Sequence, residues 1–163
     1  MLAAFSFLTV LPVARNVRFS EQALSRSVSF FPVVGAALGI LICALLFVLD
    51  SMGISPEFSA FLIIFADVIL TGGLHVDAVG DFCDGIFVSA SREKRLEIMQ
   101  DSRLGTFGLL GILFVLGFKY LLVREMVSEN LFSGLFFCYM VSRWAMVAFM
   151  FVSSPARKSE EGL

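Results

Sequence analysis

The sequence predicts an all-α fold: a polytopic integral membrane helix bundle of about four spans, with a short N-terminal interfacial helix and a cytoplasmic amphipathic helix. Two observations predict it. Apolar residues make up 58% of the 163 positions and charged residues only 16%, against roughly half and a quarter in a soluble domain. The excess is gathered into runs close to the roughly 20 residues that cross a bilayer. Open sheet edges are excluded from lipid, so these runs read as helices, and the chain as a single membrane domain over residues 1–163.

The first run, Leu2–Val13, has no basic residue ahead of it, with Arg15 and Arg18 behind it. That is the wrong charge order for a secretory signal, and it is short for a span; it reads as an interfacial or re-entrant helix. Val28–Leu49 is uncharged throughout and has Pro32 near its start. Its GAALG stretch sets Gly35 and Gly39 four apart, a small-residue face suited to close helix packing. Phe58–Leu74 carries one acid, Asp67; Leu104–Val123 carries Lys119 near its end; Leu131–Val152 carries Arg143 inside it. Ionisable residues within spans are costly, and Asp67 and Arg143 are expected to pair across neighbouring helices. Cys43, Cys83 and Cys138 are scattered without a CxxC spacing, so neither a disulfide nor a zinc framework is implied.

Orientation follows from the basic residues. With the N-terminus inside, nine of the twelve Lys and Arg fall on inner segments: Arg15, Arg18, Arg26, Arg92, Lys94, Arg95, Arg103, Arg157 and Lys158. Arg124 is outside, with Lys119 at the membrane end beside it. The polar stretch His75–Arg103 is thereby placed in the cytoplasm.

That stretch carries the chemistry. Asp77, Asp81 and Asp84 stand at i, i+4 and i+7, a spacing that shares one helix face. Three carboxylates so placed repel in a low dielectric. A hard, oxygen-loving cation such as Mg²⁺ would hold them together; a solvated acidic face paired with arginines is the alternative. Glu97 and Asp101 form a further acidic pair that would extend a metal site. Gly72 and Gly73 ahead of the acids permit tight turns and close ligand approach. His75, the only histidine, is either structural or a base or ligand. From Ser91 the run SREKRLEIMQD reads as an amphipathic helix capped by Ser91. It either lies on an anionic leaflet or offers Arg95, with Arg103 beyond it, to phosphate.

The stretches GGLHVDAVGDFCDG and REKRLEIMQDSRLGTFG resemble the cobalamin synthase family, the adenosylcobinamide-GDP ribazoletransferases. The resemblance extends from FLTVLPV through SFFPVVGAALG to SRWAM and the closing PARKSEEGL. It implies a Mg²⁺-dependent multi-pass inner-membrane enzyme with its active site on the cytoplasmic side. Adenosylcobinamide-GDP and α-ribazole (or its 5′-phosphate) would be joined, and GMP released, in the last steps of cobalamin biosynthesis. On this reading Asp77, Asp81, Asp84 and Asp101 are metal ligands. His75, Asp81 and Asp84 are catalytic, and Gly72, Gly73, Arg95 and Arg103 bind substrate. Ala78 stands where the family usually has glycine, Ser153-Ser154 replaces an aromatic-rich segment, and further C-terminal spans would be expected. The lipid bilayer is the expected surrounding and nucleic acid is not an expected partner; a homo-oligomer is left open. Two other functions compete: a CDP-alcohol phosphotransferase, whose arginine spacing between aspartates is not found here, and a membrane cation transporter with the acids lining a pathway.

Overall fold

A computed structural model describes residues 1–12 and 20–153, except the side chains of Glu21 and Leu24. Arg15, Arg18, Arg157 and Lys158 of the orientation argument, and the closing PARKSEEGL, lie outside the described residues.

Every regular element among the described residues is helical: α1 (Leu2–Leu8), α2 (Glu21–Ser27), α3 (Phe31–Ser51), α4 (Pro56–Leu70), α5 (Leu74–Ile86), α6 (Arg92–Ile98), α7 (Thr106–Ser128) and α8 (Phe132–Val152). A single 3₁₀ turn at Val28–Phe30 joins α2 to α3, so helix runs on from Ser25 to Ser51. That run, α7 and α8 are each long and apolar enough to cross a membrane. Their flanks carry the marks of lipid contact: Phe114, Phe118, Phe149 and Phe151 are all more than 60% exposed, a surface that in water would be an aggregation site.

The second expected span, Phe58–Leu74, is corrected. Its helix, α4, stops at Leu70 after 15 residues, about 22 Å at 1.5 Å per residue and short of a bilayer's roughly 30 Å. The chain then turns through 87° into α5. Two glycines make the turn. Gly72 and Gly73 both have positive φ (61° and 73°), which costs a residue with a Cβ about 1–2 kcal/mol. The Gly73 N–H donates to the Val68 carbonyl at 2.8 Å and the Gly72 N–H to Ile69 at 3.0 Å, the paired bonds of a Schellman end. Counted as one bent element, α4 and α5 bring the possible spans to four.

Helices α3 and α8 pack most extensively, because α3 lacks side chains where they meet. A Cβ on Gly35 would stand 2.5 Å from the Tyr139 carbonyl oxygen, and one on Gly39 3.0 Å from that of Phe136. Leu38, Ile42 and Leu46 of α3 are fully buried alongside Ile63 of α4. Helix α7 lies against α4 and α5. At its far end Arg124 bonds Glu57 at the start of α4, 3.1 Å away, and Glu125 lies 3.5 Å from the same guanidinium. The one basic residue expected outside is thus matched by acids.

The N-terminal run does form a helix, but not one that merely rests at an interface. Ala4 and Leu8 of α1 are completely buried, and the Val10 N–H donates to the Leu70 carbonyl at 2.9 Å. This clamps α1 to the elbow between α4 and α5.

Candidate active site

The elbow forms one wall of a cleft of about 720 Å³. Gly72, Gly73 and Asp77 line it from the elbow and α5, Ser6 and Thr9 from the N-terminal segment, Leu104 from just ahead of α7 and Ile112 from its second turn. Asp77 sits in the first turn of α5, where a carboxylate is favoured by the helix dipole, and is exposed to the cleft. The contribution of Ser6 and Thr9 was not foreseen. The signal available was the uncharged small residues of α1, which allow it to lie flush against α3.

Asp81 follows one turn later and is half-buried, close enough to Asp77 and Asp84 to feel both charges. Its carboxylate accepts no hydrogen bond from the described residues. Asp84 is differently employed. One of its oxygens accepts the Gly105 N–H at 2.7 Å and the other the Gly108 N–H at 2.8 Å. These are the N-cap and third residue of α7, so Asp84 caps a helix whose N-cap lies 21 residues further on. Space is made for it by the glycines: a Cβ on Gly105 or Gly108 would collide with the Asp84 carboxylate.

The metal set expected from spacing is therefore not assembled. Among the described residues no three His, Cys, Asp or Glu side chains gather as a metal site. Asp77, Asp81 and Asp84 all lie on α5, but the Asp84 carboxylate is drawn to the α7 amides. Asp101 is also held elsewhere. It accepts from the Arg103 backbone N–H at 3.1 Å, from Arg103 Nε at 3.0 Å and from Nη2 at 2.6 Å. These bonds hold its carboxyl down at about 2. Arg103, expected to meet phosphate, is taken up by the same pairing.

Helix α6 forms as expected, the Ser91 hydroxyl accepting the Lys94 N–H at 3.3 Å. It sits against α5 because residue 85 is glycine: a Cβ there would meet the Arg95 carbonyl oxygen at 3.1 Å and press on Met99. Arg95 is half-buried, and its Nε is enclosed without a hydrogen-bond partner among the described residues. It is the arginine of α6 left with an idle donor.

His75 looks away from the Asp77 cleft. It lines a second cavity, of about 270 Å³, with Asp67, Lys119, Ser142 and Arg143. The expected Asp67–Arg143 pair is not made there. Lys119 takes the Asp67 carboxylate instead, while Arg143 bonds the Ser142 hydroxyl at 2.9 Å and stacks over Tyr139, 5.6 Å from the ring centre.

Comparison with known proteins gives this arrangement a family. The family model described as cobalamin-5-phosphate synthase matches residues 1–163. Proteins named adenosylcobinamide-GDP ribazoletransferase match as well. That of Clostridioides difficile is 36% identical over 96% of this chain and 60% of its own length. That of Caldanaerobacter subterraneus is 33% identical over 96% of the chain and 63% of its own length. The Escherichia coli protein is 38% identical over 99% of the chain and 66% of its own length. The chain thus spans a little under two thirds of these relatives. No solved structure is similar to it. With the family model matched from end to end, the chain belongs to the cobalamin-5-phosphate synthase family.

Proposed function

We propose that the chain transfers the adenosylcobinamide phosphate group of adenosylcobinamide-GDP to α-ribazole or α-ribazole 5′-phosphate. The relatives' shared name supports the reaction, and the cleft at the Gly72–Gly73 elbow, with Asp77 on its wall, supports the place. A ribose hydroxyl of α-ribazole forms the new P–O bond at the phosphorus that bears cobinamide. The bond from that phosphorus to the bridging oxygen breaks, and the electron pair leaves with GMP. Such transfers depend on positioning and on neutralising charge.

The residues fit a lean Mg²⁺ site rather than a carboxylate cage. Mg²⁺ is commonly held by one or two carboxylates plus waters and substrate phosphates, and Asp77 and Asp81 are the acids of α5 that take no hydrogen bond from the described residues. Bound there, the ion would supply charge neutralisation at the pyrophosphate. Asp84 fixes the angle between α5 and α7, which form opposite sides of the cleft. Arg95, on α6 against α5, would turn its guanidinium to a substrate phosphate, and Asp81, one turn along α5 from Asp77, would take the hydroxyl proton. His75 would act from the neighbouring cavity, as a wall rather than as the base.

The membrane setting follows the helices, and the inner (cytoplasmic) membrane is its proposed location. The cleft side would face the cytoplasm, since Arg92, Lys94, Arg95 and Arg103 lie at that end. The family match favours neither a lipid phosphotransferase nor a cation transporter.

The test is the chain purified in detergent with adenosylcobinamide-GDP, α-ribazole and Mg²⁺. Cobalamin and GMP should appear in equal amounts. GMP release without cobalamin, or neither product under conditions where a full-length relative turns over, would overturn the assignment.

A further inference from the structure

The cavity behind the elbow holds an unbalanced charge. Of the four ionisable side chains that line it, Lys119 and Arg143 are cations, Asp67 is a carboxylate and His75 is a neutral imidazole in its ordinary state. Lys119 already occupies Asp67. Arg143 is 6% exposed, and its Nε and Nη2 have no hydrogen-bond partner among the described residues; neither has His75 Nε2. Arginine stays charged in proteins. Nine residues separate Arg143 from the end of α8, about 14 Å along the helix, so with α8 as a span it would lie well inside a hydrocarbon layer about 30 Å thick. Against two cations the cavity sets one carboxylate, Asp67, whose second oxygen is also without a hydrogen-bond partner among the described residues; a cation only partly matched at that depth is costly and marks a functional site.

Apart from the Thr71 and Ser142 hydroxyls, the remaining walls, among them Val76, Val79, Ile112 and Met146, are apolar and strengthen any charge interaction made there. The space of about 270 Å³ lies at the lower edge of small-ligand pockets. It suits a phosphate with a short substituent better than a whole nucleotide. It also shares Val68, Thr71, Val76 and Ile112 with the larger cleft, so the two lie on either side of the same wall.

We propose that this cavity is an anion site, in which the Arg143 guanidinium, assisted by Lys119 and His75, binds one phosphate group. The site is independent of the transfer reaction assigned to the cleft. A free phosphate compound and a lipid headgroup share this chemistry, and the experiment separates them.

The chain is reconstituted in nanodiscs of phosphatidylcholine, and its melting temperature is followed against inorganic phosphate, then pyrophosphate. A second set contains phosphatidylglycerol without added phosphate. Stabilisation that rises with the logarithm of phosphate concentration identifies free phosphate; stabilisation only by phosphatidylglycerol identifies a headgroup. Arg143→Gln should weaken the response roughly 10- to 100-fold, the loss expected for a hydrogen-bonded charge. Asp67→Asn should strengthen it, because a competing carboxylate is gone. A purely structural arginine would show neither response, and its loss would destabilise the protein equally in every medium. If Arg143→Gln fails to fold, Arg143→Lys, which keeps the charge but not the planar fork, should still show a weakened response. A melting temperature indifferent to both phosphate and lipid, or a response that Arg143→Lys leaves intact, would overturn the proposal.

Discussion

Asp84 offers the sharpest test, because its position assigns it a task that its place in an acidic motif does not suggest. Replacing it by asparagine keeps the shape but leaves one acceptor oxygen and turns an NH₂ group toward an α7 amide. One charge-assisted hydrogen bond is lost, at about 1.5–3 kcal/mol. The favourable charge at the α7 N-terminus goes too, at about 0.3–1 kcal/mol. Relief of repulsion with Asp81 offsets part of this, so Asp84→Asn should destabilise by about 2–3 kcal/mol. At a factor of ten per 1.4 kcal/mol, amide exchange at Gly105 and Gly108 should quicken roughly 30- to 150-fold, read by hydrogen-exchange mass spectrometry of the segment spanning them.

The decisive comparison is a double-mutant cycle with Gly108→Ala. In the native chain the added methyl would strike the Asp84 carboxylate and should destabilise. In an Asp84→Ala background only the end of the Leu104 side chain, 2.8 Å away, is left in the path; it can swing aside, so the same substitution should cost far less or stabilise, by up to the roughly 1 kcal/mol that separates alanine from glycine in a helix. Additive effects, with exchange at Gly105 unchanged in Asp84→Asn, would refute the capping role and return Asp84 to the metal site.

Four other outcomes are expected. Gly35→Ala forces a methyl to 2.5 Å from the Tyr139 carbonyl oxygen. Overpacking of about 1–3 kcal/mol should outweigh the gain in helix propensity and lower the melting temperature in detergent. Gly72→Ala should cost about 1–2 kcal/mol from its positive φ, with added strain because its Cβ would stand 2.8 Å from Val10 Cγ1; α1 should then become more accessible to protease. The Asp101 carboxyl should titrate near 2, and Arg103→Gln, which removes the guanidinium but keeps the backbone N–H bond, should raise it part of the way toward its ordinary value of 3.8, as followed by carboxyl-carbon NMR. Because the folded value is the lower one, the pair's small stabilisation is complete above that ordinary value and drains away as pH falls toward 2. Asp77→Asn and Asp81→Asn should each raise the Mg²⁺ concentration needed for half-maximal turnover by at least about tenfold, one carboxylate contact's worth, while leaving the melting temperature within a degree; unchanged Mg²⁺ dependence in both would remove the proposed ion site.

The helices were legible because lipid demands long apolar runs, and those runs are a property of sequence alone. The GAALG face was equally readable, since a missing side chain is the cause of the α3–α8 approach. The elbow was half legible. Gly72-Gly73 announced a turn, but Phe58–Leu74 is apolar enough to look like one straight span, and composition carries no direction. Partner choice was not legible. Periodicity places Asp67, Lys119 and Arg143 within spans without saying which faces meet, and Lys119 proved the nearer cation to Asp67. The Asp84 tie did leave a trace. A 23-residue helix starts at Thr106 behind Gly105, which offers no capping side chain, so its amides had to be satisfied from elsewhere. An acid three turns into another helix was not an obvious donor of that service.

The bonds from Asp84 to Gly105 and Gly108 also close a ring. Residues 85–104, with the whole of α6, form an excursion whose two ends are pinned together by hydrogen bonds rather than by the backbone alone. A nick or a graft between Phe87 and Ser91 would leave both anchorages in place. New chain termini opened there should therefore be tolerated, making this segment the natural seam for splitting the protein in two and recombining the halves.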